Sequence, residues 1–490
     1  MRMCTALSLT LCLTFLTRPV RAEQAAPARS GKLHVGWAHR DITPQKPVNL
    51  AGQFNERITR EVDSPVTLTA LALETRDGEQ SIDQAILISC DLVMITDTMQ
   101  PRLRTLLAGK LPGFDLRKIL LNATHTHAAP DVGGFTYDIP PEAMQPAEFV
   151  EFFLARAAEA AIEAWEQRKP GGMNYGLGYA VVGYNRRMTY ADGTAVMYGA
   201  NNKATFRGVE GYEDHSVESI FFFDSERKLT GIAINLACPS QVLEHLKRIS
   251  ADFWHDVRIV LREKYSKDLN VLALCGAAGD QSPHPQFRKK ADGRMRAAQG
   301  NLSEARAIAL RIAAGVDSAY QAIKDQPVSE VPFVHRVDEL KVPGRKISEN
   351  EYRSAKALCA QLKDSVENKN NRTAAAFLRW HSEILTRYEK PDNYATYPVE
   401  LHAIRLGDVA ILSNPFELFI DYGMQMKARS PAIQTFVVQL AGGWGGYLPT
   451  PRAVSGGGYS AVAESGLVGP EGGQALVERS VELITQAFKK

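Results

Sequence analysis

The sequence predicts an α/β fold, mixed α+β in detail, formed as one large domain. Three observations lead there. Apolar, β-branched runs of strand length are interspersed with helical periodicities along the whole chain, a pattern that argues against a sandwich or a bundle. Over 490 residues, 45% are hydrophobic and 23% charged, which excludes wholesale disorder and a polytopic membrane protein. No Pro/Ser-rich linker divides the chain and no internal repeat is visible, so one unit is expected although the length allows roughly two to four domains.

The first 22 residues stand outside that unit. Arg2 opens them, residues 4–17 are apolar or small, and Val20-Arg21-Ala22 precedes Glu23. This is the pattern of a secretory signal cut after Ala22; a buried N-terminal helix is the plainer alternative. Cys12 follows Leu11 and lacks the setting of a lipoprotein cysteine, so an exported protein, secreted or periplasmic, is expected. Removing the signal deletes Arg2, Arg18 and Arg21 and no acid. The 57 basic and 55 acidic residues then become 54 and 55, a net charge of −1. No basic run points to nucleic acid, and no later apolar stretch reaches the ~18 residues of a membrane span.

Residues 23–31 read as a linker, and 32–490 as the domain. Strands are predicted at 67–73, 84–89, 118–122, 219–223, 229–236, 271–274, 333–340, 399–405, 409–412 and 435–440, from β-branched and apolar content between turn residues. Helices are predicted at 148–166, 255–264, 302–324, 349–366, 373–387 and 473–487 from apolar spacing of three and four. The segment 349–388 reads as a charged helical hairpin with Asn368-Lys369-Asn370-Asn371 at its tip. It is expected to be a solvated insertion, since charged helical faces usually meet water. The remaining cysteines, Cys90, Cys238, Cys275 and Cys359, are irregularly spaced without a CxxC, and a domain this large needs no disulfide framework.

Chemistry concentrates in three places. Thr124-His125-Thr126-His127 follows a predicted strand. In an extended chain alternate side chains share a face, so the two imidazoles are expected to point the same way, suited to metal ligation or proton transfer. Gly279-Asp280-Gln281-Ser282-Pro283-His284 forms a sharp turn after another strand, where α/β proteins display reactive groups; an Asp/Ser-stabilised turn is the alternative. It is not a Gly-x-Ser-x-Gly elbow, so a hydrolase triad is not supported. The third place is Asn235-Leu236-Ala237-Cys238-Pro239-Ser240-Gln241, where Cys238 is either a thiolate ligand, a nucleophile or an inert buried thiol. Glu417, just after an apolar strand, and the glycines around Tyr447 complete the set.

In this order the pieces resemble the catalytic domain of the neutral/alkaline (non-lysosomal) ceramidases, zinc amidases that split ceramide into sphingosine and a fatty acid. The motifs that carry the resemblance are Asp41-Ile42-Thr43-Pro44, Ala123-Thr124-His125-Thr126-His127, Asn185-Arg186-Arg187, Gly279-Asp280-Gln281-Ser282-Pro283, Glu417 and Tyr447-Leu448-Pro449-Thr450. The resemblance implies a zinc site of His125, Glu417 and Tyr447, with Cys238 in the slot of the family's histidine before proline and His245 in reserve. It implies His127 as general base, Arg186 as the active-site arginine and Ser282 as a serine lining the site. Gly52, Gln53, Asp280 and Trp444 are expected to contact substrate. The chain ends soon after the tyrosine motif, so the family's C-terminal immunoglobulin-like domain is not expected.

The function expected is therefore that of an exported Zn2+-dependent amidohydrolase acting on a small-molecule or lipid-like N-acyl substrate. A zinc hydrolase of the same fold acting on an acylated sugar or ester is the first alternative. A catalytically inactive binding protein is the second, because Cys238 departs from the family's ligand.

Overall fold

A computed structural model of the chain describes residues 29–134, 137–369 and 372–489. The signal at 1–22, all but the end of the linker, and the hairpin's Asn370 and Asn371 lie outside them. Helices and strands are mixed throughout, and twelve of the strands join one sheet.

Those twelve strands fall into three sets of four with the same topology. In the first set, Ser30–Asp41, Thr67–Asp77 and Gln80–Cys90 pair antiparallel in succession. Helix Met99–Leu107 then crosses over, and Ile119–Ala123 pairs parallel with Gln80–Cys90. Helix Pro146–Glu166 closes the set. The second set repeats this with Lys169–Tyr179, Ser216–Asp224 and Leu229–Leu236, helix Phe253–Lys264, parallel strand Asn270–Cys275 and helix Glu304–Ile323. The third uses Glu330–Pro343, Thr396–Leu406 and Val409–Ser413, helix Ile420–Arg429, parallel strand Gln434–Val438 and helix Pro470–Phe488. A repeat that sequence inspection does not reveal is thus present in the topology. Strand Ser30–Asp41 joins the sets, pairing with the first strand of each of the others at His34↔Pro170 and Ser30↔Pro332.

Packing follows the same division. Each set covers its outer face with its own two helices, and each has its own apolar cluster there. The inner faces of all three meet in a common core containing Leu33, Leu87, Phe222, Leu272, Phe333 and Phe436. Helix Pro146–Glu166 shows why these segments form. Proline at its start suits the first turn, and Phe149, Phe153, Leu154, Ala157 and Ala161 recur at helical spacing and are buried. Burying each of the large ones contributes about 1.5–3 kcal/mol.

Strand Lys169–Tyr179 has no β-branched residue and was not predicted. Its glycines are needed for close packing: a Cβ on Gly178 would stand 2.0 Å from the carbonyl oxygen of Gly315 in the helix above. All four described cysteines, Cys90, Cys238, Cys275 and Cys359, are free and buried. No helix among the described residues is long and apolar enough to cross a membrane.

The connection between the first and second strand of each set is where the three differ most. It holds the loop with Gly52 in the first set, small strands with Arg186 in the second, and the helices Glu349–Lys369 and Arg372–Glu389 in the third. That hairpin is not simply solvated, contrary to the expectation. Phe377 stacks on Phe54 with centroids 4.5 Å apart, and Trp380 packs beside Phe54 and Tyr459. Arg387 donates to the carbonyl of Ala463, and His381 pairs with Glu464 at 2.9 Å. Its apolar face closes over the end of the sheet where the loops after the parallel strands emerge.

Candidate active site

The loops that leave the carboxyl ends of the three parallel strands converge, the place where α/β sheets bind ligands. In the first set the loop 124–128 is anchored by its threonines. Thr124 donates to Asp91, itself held by a buried bidentate pair with Arg258, and Thr126 donates to the carbonyl of Ser250. The histidines turn the other way. They reach one point as expected, but not through an extended chain: His125 has φ 66°. That conformation is uncommon for a residue with a Cβ and costs on the order of 1–3 kcal/mol. His125 Nδ1 lies 2.6 Å from the carbonyl oxygen of Val93. A carbonyl only accepts, so Nδ1 carries a proton and Nε2 is the ring atom that faces the centre.

Glu417 and Tyr447 come from the third set and are register partners in a short parallel pair. His125 Nε2 is 3.3 Å from Glu417 Oε2. Burial alone would raise the Glu417 carboxyl, but His125, Arg186 and the Tyr447 hydroxyl outweigh it and hold it below its ordinary range. Burial, reinforced by Glu417, pushes the Tyr447 phenol well above its ordinary value.

Arg186 is buried between the second and third sets. It donates to Tyr447 Oη at 3.1 Å, to the Gly279 carbonyl at 2.9 Å and to Gln241 Oε1 at 3.3 Å. The last contact orients the Gln241 amide, so its nitrogen is the atom 2.6 Å from His127 Nε2. His127 therefore accepts at Nε2 and carries its proton on Nδ1, which faces Glu244 Oε2 at 3.9 Å. Burial, with His125, Arg57 and Arg186 nearby, holds the His127 pKa well below its ordinary value. It is a neutral base at its Nε2 edge. Gly52, at φ 94°, lies against this ring, where a Cβ would come 2.5 Å from Nδ1, so no larger residue fits there.

Two cavities meet at this centre, one of about 600 Å³ and one of about 230 Å³. Gly52, Gln53, Phe54, His127, Tyr447 and Tyr459 line both, and Trp444 lines the smaller.

Four sequence expectations need correction. Cys238 is not brought to the centre: its Sγ donates to the carbonyl of Val182 at 3.3 Å, inside the outer core of the second set. Burial there raises its pKa well above the ordinary value, which disfavours the thiolate that a metal needs. His245 does not replace it, being 82% exposed with Glu244 Oε1 at 3.8 Å as its partner. Ser282 is fully buried behind the site, accepting from Tyr198 Oη at 3.0 Å and from the His284 backbone at 3.1 Å; it supports the wall and does not line it. Asp280 is likewise buried, accepting from Asn185 and from the backbone of Ile420 at the start of a helix. Its carboxyl, pushed up to about 6 by burial, fastens the second set to the third.

No three or more His, Cys, Asp or Glu side chains among the described residues are arranged to hold a metal ion. What converges is the imidazole of His125, the carboxylate of Glu417 and the phenol of Tyr447, with a second imidazole, His127, whose Nε2 also lies 3.3 Å from His125 Nε2. The donor chemistry suits zinc. Ligands on a tetrahedral ion with bonds of ~2.0–2.1 Å stand about 3.3–3.4 Å apart, and the His125–Glu417 separation is 3.3 Å. A histidine ligand that donates its other ring nitrogen to a backbone carbonyl is the usual outer-sphere arrangement. Three protein ligands with a fourth position open is the pattern of catalytic zinc sites.

No protein-family model matches the chain, and no curated protein matches it. Solved structures do. A neutral ceramidase from Pseudomonas aeruginosa superposes with a TM-score of 0.64 at 16% identity, covering 94% of this chain and 74% of that one. A ceramidase complexed with C2 gives 0.63 at 16% identity, over 94% and 75%. The fold is that of the neutral ceramidases. At this identity the likeness concerns the ceramidase-like fold, and the chemistry has to be argued from the residues.

Residues without an assigned role in the sequence also build the centre: Gln241, Glu244, His284, Tyr198 and Tyr459. Gln241 had a signal. It stands two residues after Pro239, as Glu417 stands two after Pro415, in equivalent loops of the second and third sets.

Proposed function

We propose that the protein is an exported zinc-dependent hydrolase that cleaves an N-acyl amide bond. The observation that carries this reading is the convergence of His125 Nε2, Glu417 and Tyr447 beside His127 and Arg186, at the junction of two cavities. His125, Glu417 and Tyr447 would hold the zinc. Zinc so bound supplies Lewis-acid activation of water and of the scissile carbonyl.

The chain's own groups supply the rest. His127, neutral with its lone pair at Nε2, takes a proton there as water attacks the acyl carbon, the water displacing the Gln241 N–H that this lone pair accepts in the resting structure, and returns it to the leaving nitrogen. Gln241 holds the ring in the tautomer this needs. Arg186, buried and cationic, faces the charge that develops on the carbonyl oxygen; one such donor is worth about 3 kcal/mol. Burial would lower its pKa, but Tyr447, Tyr198 and Glu417 more than reverse that. The buried setting keeps bulk water away, so these interactions are little screened.

The test is zinc content by elemental analysis together with release of fatty acid from N-acyl lipids. The expected result is about one zinc per chain and amide hydrolysis, both lost in His125→Ala. Full activity in that variant, or a purified protein that neither retains nor takes up zinc, overturns the proposal.

A further inference from the structure

Charge balance differs between the larger catalytic cavity and its neighbour. On the wall of the catalytic cavity opposite charges are set together: His284 lies 3.4 Å from Glu244 and 3.6 Å from Glu304, and Arg296 pairs with Asp292 at 2.9 Å. Beside it lies a third cavity of about 530 Å³, lined by Asn201, Gln286, Phe287, Arg288, Lys289 and Lys290. Three of these side chains are cations, and none of the residues lining this cavity is acidic. No carboxylate pairs with Arg288, Lys289 or Lys290 among the described residues, and all three are exposed.

The surroundings keep the same sign. Phe206 packs beside Phe287 with centroids 6.0 Å apart, which brings the segment of Lys203 and Arg207 to this side; residues 199–209 contain no acid. The walls are held in place by amides: Asn201 donates to the Gln286 carbonyl at 2.7 Å, and Gln286 donates to the His284 carbonyl at 2.7 Å. Cations gathered around one hollow repel each other, and an entering anion relieves that repulsion. A group with three terminal oxygens matches three separate cations. Charge-assisted hydrogen bonds of this kind are roughly twice as strong as neutral ones, and the Arg288 fork suits phosphate geometry.

We infer that this third cavity is a second binding site, which takes a phosphate or sulfate ester group. It contains none of the proposed metal ligands and rests on no step of the amidase reading. Tyr198 and Lys289 line both this cavity and the larger catalytic one. A molecule held here by its ester group therefore lies with its remainder at the catalytic mouth, and the site serves as an anchor. The same group occurs on a soluble phosphorylated sugar and on the headgroup of an anionic lipid, and the cavity offers the same chemistry to both.

The experiment measures binding to the purified full chain in about 0.15 M NaCl, where exposed charges more than ~8 Å apart are largely screened. One arm titrates N-acetylglucosamine 6-phosphate and unphosphorylated N-acetylglucosamine by calorimetry. The other sediments the protein with vesicles of phosphatidic acid or of phosphatidylcholine. In at least one arm the anionic member is expected to bind and its counterpart not; binding in the first assigns a soluble source, and in the second a lipid surface. Arg288→Glu combined with Lys290→Glu should weaken that binding roughly tenfold or more, and Arg288→Lys with Lys290→Arg should keep it. Binding of neither anionic member overturns the inference. So does binding that the charge reversal leaves unchanged, as at a catalytic metal, and so does equal binding within both pairs. None of these outcomes depends on amide hydrolysis, so the amidase reading stands or falls separately.

Discussion

Two loops, 238–241 and 414–417, occupy the same place in the second and third sets of the sheet, and both follow the third strand. Each runs X-Pro-x-Gln/Glu: Cys238-Pro239-Ser240-Gln241 and Asn414-Pro415-Phe416-Glu417. In each the first residue turns away from the centre. Cys238 bonds the Val182 carbonyl, and Asn414 bonds the Val438 carbonyl. In each the residue two after the proline reaches the centre. Glu417 meets His125 as a carboxylate, whereas Gln241 meets His127 as a neutral amide braced by Arg186. The proline therefore marks which side chain points inward, and the cysteine before it has no path to the centre. One loop offers a charged ligand; its counterpart offers orientation.

The largest effect should come from erasing that difference. Glu417→Gln keeps size and hydrogen bonding but removes the charge, making the two loops chemically alike. The contribution of a bound metal to the transition state is several kcal/mol, and ~1.4 kcal/mol is tenfold, so activity should fall about a thousandfold. Zinc should no longer co-purify, which elemental analysis reads directly. Next comes Gln241→Leu, which leaves the metal ligands intact but frees the His127 ring. Outer-sphere changes of this kind cost about 10–100-fold. Turnover should drop by that amount with zinc retained; loss of zinc would show that Gln241 is itself a ligand and break the comparison.

How much of this the sequence carried depends on what each residue answers to. His125, His127, Glu417 and Tyr447 stood out by residue type and place in the chain, Arg186 only through the family resemblance, and the structure brings them together. Cys238, Ser282 and Asp280 share motifs with them and face elsewhere, because a motif fixes position along the chain and not the direction of a side chain. Most strands and helices were visible through periodicity, with Leu229–Leu236 matching its predicted bounds. The threefold repeat was not visible, since it survives in pairing topology and loop placement with little residue identity. The strand of glycines at Lys169–Tyr179 was hidden because close helix packing had removed the β-branched residues by which strands are recognised.

The hairpin Glu349–Glu389 was legible as a pair of helices and misjudged as solvated, since its charged residues outnumber the few aromatics that matter. Trp380→Ala tests the difference. Aromatic pairs contribute about 0.5–1.5 kcal/mol beyond their area, so KM for an acyl substrate should rise up to about tenfold with turnover little changed. An unchanged KM would return the hairpin to the role of a solvated insertion. A smaller effect is expected at Cys238. Cys238→Ala removes a buried thiol from the outer core and should cost about 1 kcal/mol in urea unfolding, with zinc content at the wild-type level. Loss of zinc there would restore the cysteine as a ligand.

The smallest effect tests the charged wall. His284 has its pKa raised to about 10 in the folded chain by Glu244 and Glu304, against an ordinary value of 6.5. A group raised on folding stabilises fully below its unfolded pKa, and its contribution disappears as pH rises through the folded one. The stability gap between wild type and His284→Gln should thus be widest at pH 6, narrow from pH 6.5 upward, and close above pH 10. The ring is 23% exposed, so solvent screening keeps this gap modest. Taking the difference between the two proteins cancels the titration of every group away from the ring. A gap that stays constant from pH 6 to 10 would mean the imidazole is neutral, and Glu244 and Glu304 would then lack the positive charge that stands between them.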